Sequence, residues 1–111
     1  MGLKNINESL YEDLQNPDFA ALFLKLAREE GPEAFRLAVR DLNIARNGGM
    51  AQTARKCGRD RASLYKALSA KGNPSWDTIE RALESAGIDI EFVPRKDKRE
   101  VSEETRELAG V

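Results

Sequence analysis

Histidine is missing from all 111 residues, and cysteine occurs once, at Cys57. The first absence removes imidazole general bases and the Ser–His type of nucleophile activation. The second removes any intrachain disulfide, and together they leave none of the common zinc-ligand sets. Phosphate-binding glycine motifs are also lacking. Acidic residues are plentiful but scattered over helix-face positions, with no pair set apart as a catalytic dyad. The expectation is a protein that is not an enzyme and that carries no metal or cofactor. No apolar run approaches the ~20 residues that span a bilayer. The opening residues MGLKNINESLYEDL contain no apolar core of a secretory signal. A cytoplasmic protein without membrane contact is expected.

What the chain does have is charge, unevenly placed. Hydrophobic residues make up 41% and charged residues 33%, which suits one soluble globular domain. The formal net charge of -1 hides an asymmetry. Residues 47–75 carry Arg55, Lys56, Arg59, Arg61, Lys66 and Lys71 against Asp60 alone, whereas residues 76–93 carry Arg81 against Asp77, Glu80, Glu84, Asp89 and Glu91. A basic patch within an acidic body can meet phosphates while the rest of the surface resists nonspecific adhesion to DNA. A charge cluster can equally be a solvated helix face.

The apolar spacing predicts an all-α fold in three parts. Residues 1–15 form an N-terminal segment in which Leu3, Ile6, Leu10, Tyr11 and Leu14 recur at roughly helical intervals. This segment can pack on the domain, stay loose or dock onto another protein. Residues 16–93 form the domain proper, with five helices. Asn16 caps the first, Pro17 occupies its first turn, and Phe19, Leu22, Phe23 and Leu26 are its expected buried face. Gly31 ends it and Pro32 opens a second helix, PEAFRLAVRDLNIARN. There Phe35, Ala38, Val39, Leu42 and Ala45 form the inward stripe, and Arg36, Arg40, Asp41 and Arg46 are expected to face out. Met50 to Lys56 and roughly Arg61 to Ser69 are the third and fourth helices. Ser75 caps the fifth, with Trp76, Ile79, Ala82 and Leu83 inward. Ile88, Ile90 and Phe92 then alternate with Asp89 and Glu91 as a short β-strand. A lone strand leaves backbone groups unpaired, so it either pairs with its copy in a dimer or lies as an extended tail over the helices. Residues 94–111 are a polar tail.

Met50 to Lys71, MAQTARKCGRDRASLYKALSAK, reads as helix, tight turn, helix. Ala51 and Ala54 are small where two helices approach. Cys57 reads as a small buried hydrophobe, and Gly58 suits a turn needing positive φ. Asp60 caps the following helix, whose Leu64, Ala67 and Leu68 face the core. Arg61, Ala62, Tyr65 and Lys66 then project outward together. In a recognition helix the N-terminal residues reach base edges. An arginine such as Arg61 can grip guanine bidentately, and an alanine such as Ala62 can meet a thymine methyl. Ser63 and Ser69 are smaller polar candidates near the DNA backbone. The N–H groups around Gly49-Met50-Ala51, helped by Gln52 and Arg55, can bind a phosphate.

The run Gly48-Gly49-Met50, Ala54-Arg55, Gly58, Leu64-Tyr65-Lys66-Ala67-Leu68-Ser69 and Gly72-Asn73-Pro74 resembles the probable addiction-module antidote proteins. These are helix-turn-helix antitoxins of the HigA-like, phage-repressor-like kind. The resemblance covers roughly residues 8–93. It implies a homodimeric antitoxin that holds a RelE/HigB-like mRNA-endonuclease toxin inactive and represses its own operon by binding double-stranded operator DNA. Carried onto this chain, the base-reading positions are Arg61, Ala62, Tyr65 and Lys66. Arg59 departs from the apolar residue usual after the glycine, and adds a phosphate contact or weakens the turn. Toxin-contact residues do not transfer. From physics, Tyr11 and Leu14, beside Glu8, Glu12 and Asp13, suit a basic partner unless they pack on the domain itself. The alternative function is a stand-alone phage-repressor-like regulator without a toxin partner.

Overall fold

A computed structural model describes residues 6–95, which form six helices and no strand: α1 (Ile6–Asp13), α2 (Pro17–Glu30), α3 (Pro32–Asn47), α4 (Met50–Cys57), α5 (Arg61–Ala67) and α6 (Trp76–Ser85). The architecture is all-α, as expected. The sixth helix is α1, formed by part of the segment whose state the sequence left open. The expected tail falls outside the described residues except for Pro94 and Arg95, as do residues 1–5 of the N-terminal segment.

Local chemistry sets the helix boundaries. The Asn16 side chain accepts from the backbone N–H groups of Asp18 at 2.8 Å and Phe19 at 3.3 Å, ahead of Pro17 in the first turn of α2. Ser75 Oγ accepts from Thr78 N at 3.1 Å to start α6. Asn16 thus meets two of the four orphan donors of its helix, and Ser75 meets one. Gly72 is required for space: a Cβ there would run into the backbone carbonyl of Ala67 as the chain leaves α5.

Helix α3 lies at the centre, touching α1, α2, α4 and α6. Ala38, Val39 and Leu42 are buried on it, joined by Leu14, Leu24, Met50, Leu64, Leu68, Ile79 and Leu83. Helix α2 meets α3 through a different face from the one expected. Ala20, Leu24 and Ala27 are buried, Phe19 and Phe23 are half-buried, and Leu22 and Leu26 are exposed. Small residues at Ala20 and Ala27 let the two helices approach closely, which the bulk of the 22/26 edge would not. Trp76, expected inward, is 58% exposed at the start of α6. It rims a cleft shared with Leu24, Lys25, Phe35 and Ile90.

The residues read as the outer face of α3 are the largest departure from expectation. Arg46 Nε donates to Ala86 O at 2.6 Å, and its Nη1 donates to Leu14 O at 3.1 Å. It therefore ties the carbonyls that follow α1 to those that follow α6, where the helix dipoles favour a cation. Arg36 donates to Ser69 O at 3.1 Å and to Ala70 O, fastening the turn after α5. The physical reason is position: a helix with neighbours on several sides has no solvent face of the width its sequence pattern implies.

Asn43, on the same helix, is completely buried. Its Oδ1 accepts from Asn47 Nδ2 at 2.8 Å and Ser85 Oγ at 2.9 Å, and its Nδ2 donates to Val39 O at 2.8 Å. Thr53, also fully buried, donates its hydroxyl to Gly49 O at 3.1 Å while accepting from Asn47 Nδ2 at 3.1 Å. This network joins α3, α4 and α6 with directional bonds that apolar packing alone would not supply.

Residues 88–93 form no strand. Nothing among the described residues pairs with them, and they run as irregular chain. Ile88 and Ile90 are half-buried against the core, whereas Phe92 is 90% exposed.

Replacing Asn43 by Ala removes the acceptor shared by Asn47 and Ser85 and opens a small cavity. The expected loss is about 1–3 kcal/mol, from lost hydrogen bonds worth ~0.5–1.5 kcal/mol each, because Asn47 keeps Thr53 as a partner and Ser85 keeps the Ala82 carbonyl. Urea unfolding followed by circular dichroism checks it through the midpoint at constant m-value.

Candidate nucleic-acid interface

The segment that concentrates basic charge is built as two short helices around a left-handed turn. Gly58 adopts φ 67°, ψ 35°, and its N–H is satisfied by the carbonyls at the end of α4. A side chain at this position costs ~1–2 kcal/mol in the same conformation, which is why glycine ends α4. Arg59 N reaches Ala54 O at 2.9 Å, closing the turn. Asp60 then accepts from Ser63 N at 2.9 Å and starts α5.

Inside the unit, Met50, Thr53, Ala54 and Cys57 of α4 meet Leu64 of α5 and the following Leu68, all buried. Ala54 is the small residue at this contact, while Ala51, expected to share that role, is exposed. Burial pushes the Cys57 thiol up, against opposing effects of Ser85, Arg81 and Arg59, so it is an inert packing group rather than a thiolate.

Outside, Arg61, Ala62, Ser63, Tyr65 and Lys66 are all exposed, and the first two line a cleft of about 360 Å³ with Tyr65. The four expected base-reading positions therefore share one open face of α5. At the start of α4, Gln52 Oε1 accepts from Arg55 Nε at 2.9 Å, which holds that guanidinium along the helix. Lys56 Nζ donates to Asn47 Oδ1 at 2.9 Å, linking the surface to the buried network. Arg59 lies elsewhere: its guanidinium pairs with Asp77 of α6 at 3.8 Å, and Asp77 also pairs with Arg81 Nε at 3.0 Å. Ser69 is half-buried and donates to Lys66 O at 2.7 Å, so it closes the end of α5 rather than standing out from it.

The two candidate partner-contact residues on the N-terminal side separate. Leu14 is completely buried, because the chain turns into the domain directly after α1, and it is corrected to a core residue. Tyr11 stays partly accessible. It pairs with the half-buried Asp41, whose carboxyl is pushed up by burial against the pull of Arg40 and the Tyr11 hydrogen bond. Tyr11 is itself shifted up, by burial first and then by the Asp41 charge. Neither Asn43 nor the arginines of α3 were found by sequence reasoning. The only local signal was their place on a helix flanked by apolar segments on both sides.

The Asp60 carboxyl is held below its ordinary value of 3.8, chiefly by the Ser63 backbone N–H and hydroxyl. A depressed carboxylate stabilises the fold above its unfolded value and loses that contribution as pH falls through the folded value. Asp60→Ala should therefore be less stable than the parent at neutral pH. The gap should shrink as the pH drops below about 4, as read by thermal unfolding at a series of pH values.

A family model described as "Probable addiction module antidote protein" matches residues 4–94. An uncharacterised protein of Haemophilus influenzae is 33% identical over 81 residues, covering 72% of this chain and 81% of its own length. No solved structure matches the chain. Because the matched stretch runs through all six helices, the chain belongs to the family of probable addiction module antidote proteins.

Proposed function

We propose that this protein is the antitoxin of a type II toxin–antitoxin module, a binding protein without catalysis of its own. It neutralises a RelE/HigB-like mRNA-endonuclease toxin by direct contact and represses its own operon through a phage-repressor-like helix-turn-helix. The observation that carries the DNA half is the shared exposure of Arg61, Ala62, Tyr65 and Lys66 on α5, which follows an α4 whose N-terminus no side chain caps. The antitoxin half rests on family membership.

In this reading α5 enters the major groove. Arg61 grips guanine O6 and N7, Ala62 meets a thymine methyl, and Tyr65 and Lys66 reach a base or phosphate. Gln52 and Arg55, joined to each other, reinforce a phosphate held by the first N–H groups of α4. Two copies pair through residues 88–93, where Phe92 stands in solvent and no strand partner lies among the described residues. A two-fold dimer then presents two α5 helices to half-sites about one helical turn, ~34 Å, apart. The toxin side is α1, where Tyr11 lies near the exposed acidic residues Glu8, Glu12 and Asp13, a surface that suits a basic RNA-cutting protein.

With ~6–10 phosphate contacts, dimer affinity for the upstream promoter fragment should fall ~10³–10⁵-fold between 50 and 200 mM salt. Arg61→Ala should cost about 1–3 kcal/mol and relax one base position. Fluorescence anisotropy with operator variants measures both. An Arg61→Ala protein that keeps parent affinity and base preference would refute the assignment.

Co-expression with the adjacent gene product, followed by a pull-down, tests the partner. The expected result is a stable complex that Tyr11→Ala weakens while leaving promoter binding intact. The stand-alone regulator shares the DNA face and differs in forming no such complex.

A further inference from the structure

Tyr65 is 49% exposed on α5, and one face of its ring is covered from outside the two-helix unit. Arg40, on α3, places its guanidinium carbon 5.2 Å from the Tyr65 ring centroid. This is within the ~6 Å range of cation–π attraction. The Arg40 Nε is buried and has no hydrogen-bond partner among the described residues. The other α3 arginines spend their donors on backbone carbonyls: Arg36 on Ser69 and Ala70, Arg46 on Ala86, Leu14 and Gln15. Arg40 is thus described through its stacking on Tyr65 and its closeness to the Asp41 carboxyl next to it. A buried donor left without a partner is costly, so a compensating role for the guanidinium plane is expected.

We propose that Arg40 is a positioning residue for DNA recognition: by stacking on Tyr65 it holds that ring as a wall of the cleft formed with Arg61 and Ala62. The inference rests on the helix-turn-helix reading and names a determinant lying outside it. An unrestrained tyrosine on an exposed helix face samples several χ1 wells, and its ordering on DNA would cost affinity. A planar guanidinium against the ring removes that freedom beforehand, and it does so better than a lysine ammonium can. The Asp41 carboxyl next to it on α3, which pairs with Tyr11 of α1, is near enough to feel the Arg40 charge.

The test is operator binding by full-length parent, Arg40→Met, Arg40→Lys, Tyr65→Phe, Tyr65→Ala and the Arg40→Met/Tyr65→Phe and Arg40→Met/Tyr65→Ala double variants over a salt series. Thermal unfolding of each is recorded, with NMR of the Tyr65 ring protons in the absence of DNA. Arg40→Met should bind roughly two- to fivefold more weakly with an unchanged salt slope, a loss of the size a surface cation–π contact supports. Its Tyr65 ring resonances should move. Arg40→Lys should recover part of the loss, Tyr65→Phe should keep the sensitivity to Arg40, and Arg40→Met should cost nothing more once Tyr65 is Ala. If the loss persists in the Tyr65→Ala background, or the salt slope falls by about one, Arg40 is a direct phosphate ligand and the proposal is overturned. If Arg40→Met binds like the parent, it is also overturned, with the DNA reading left standing. If the parent itself does not bind the promoter fragment, the DNA reading fails first and takes the proposal with it, whatever the ring resonances do.

Discussion

The buried carboxamide of Asn43 is the constraint on which the placement of the basic unit depends. It sits where α3, α4 and α6 converge and accepts from Asn47 and Ser85 while donating to Val39. Hydrophobic burial around it is non-directional and would tolerate α4 sliding or rotating on α3. Hydrogen bonds with fixed geometry do not. Thr53 lies in this network, one residue from Ala54 at the contact with α5, so the register of α4 on α3 also sets the direction in which α5 points. Arg36 completes the arrangement from the other end by fastening the carbonyls just after α5.

Charge is divided according to depth. The arginines of α3 are spent inside the molecule, on helix-end carbonyls and on an aromatic ring. Those of α6 and the turn balance Asp77. Arg61 and Lys66, together with Arg55 in the last turn of α4, remain at the surface of the two-helix unit. A chain whose formal charge is only -1 can therefore present a locally positive face without being a basic protein. Such a face favours contact with phosphate where the geometry is right and offers little to DNA elsewhere.

The parts legible in the sequence were those governed by neighbours along the chain. Asn16, Asp60 and Ser75 announce helix starts because capping acts over three residues, and Gly58 announces a turn because its backbone conformation excludes side chains. The outward set on α5 followed from the inward pair Leu64 and Leu68 at a spacing of four. What escaped depended on tertiary position. Leu22 and Leu26 satisfy the helical apolar pattern as well as Ala20, Leu24 and Ala27 do, and only the approach of α3 decides between the two faces. Arg36, Arg40 and Arg46 look solvent-facing unless α3 is known to be enclosed. Leu14 looks like surface unless the turn after α1 is known to enter the core. The alternation at 88–93 is a period-two signal, and no strand among the described residues pairs with it.

The central claim is that α3 holds α4 and α5 so that one preformed face meets the DNA duplex. Titrating ¹⁵N-labelled protein with its promoter duplex tests this directly. The account predicts amide shifts concentrated at Gly49 to Gln52 and Arg61 to Lys66, with the α2 surface around Leu22 and Leu26 unchanged. Shifts centred on α2 or α6 with α5 undisturbed, or no shifts at low salt, would contradict it.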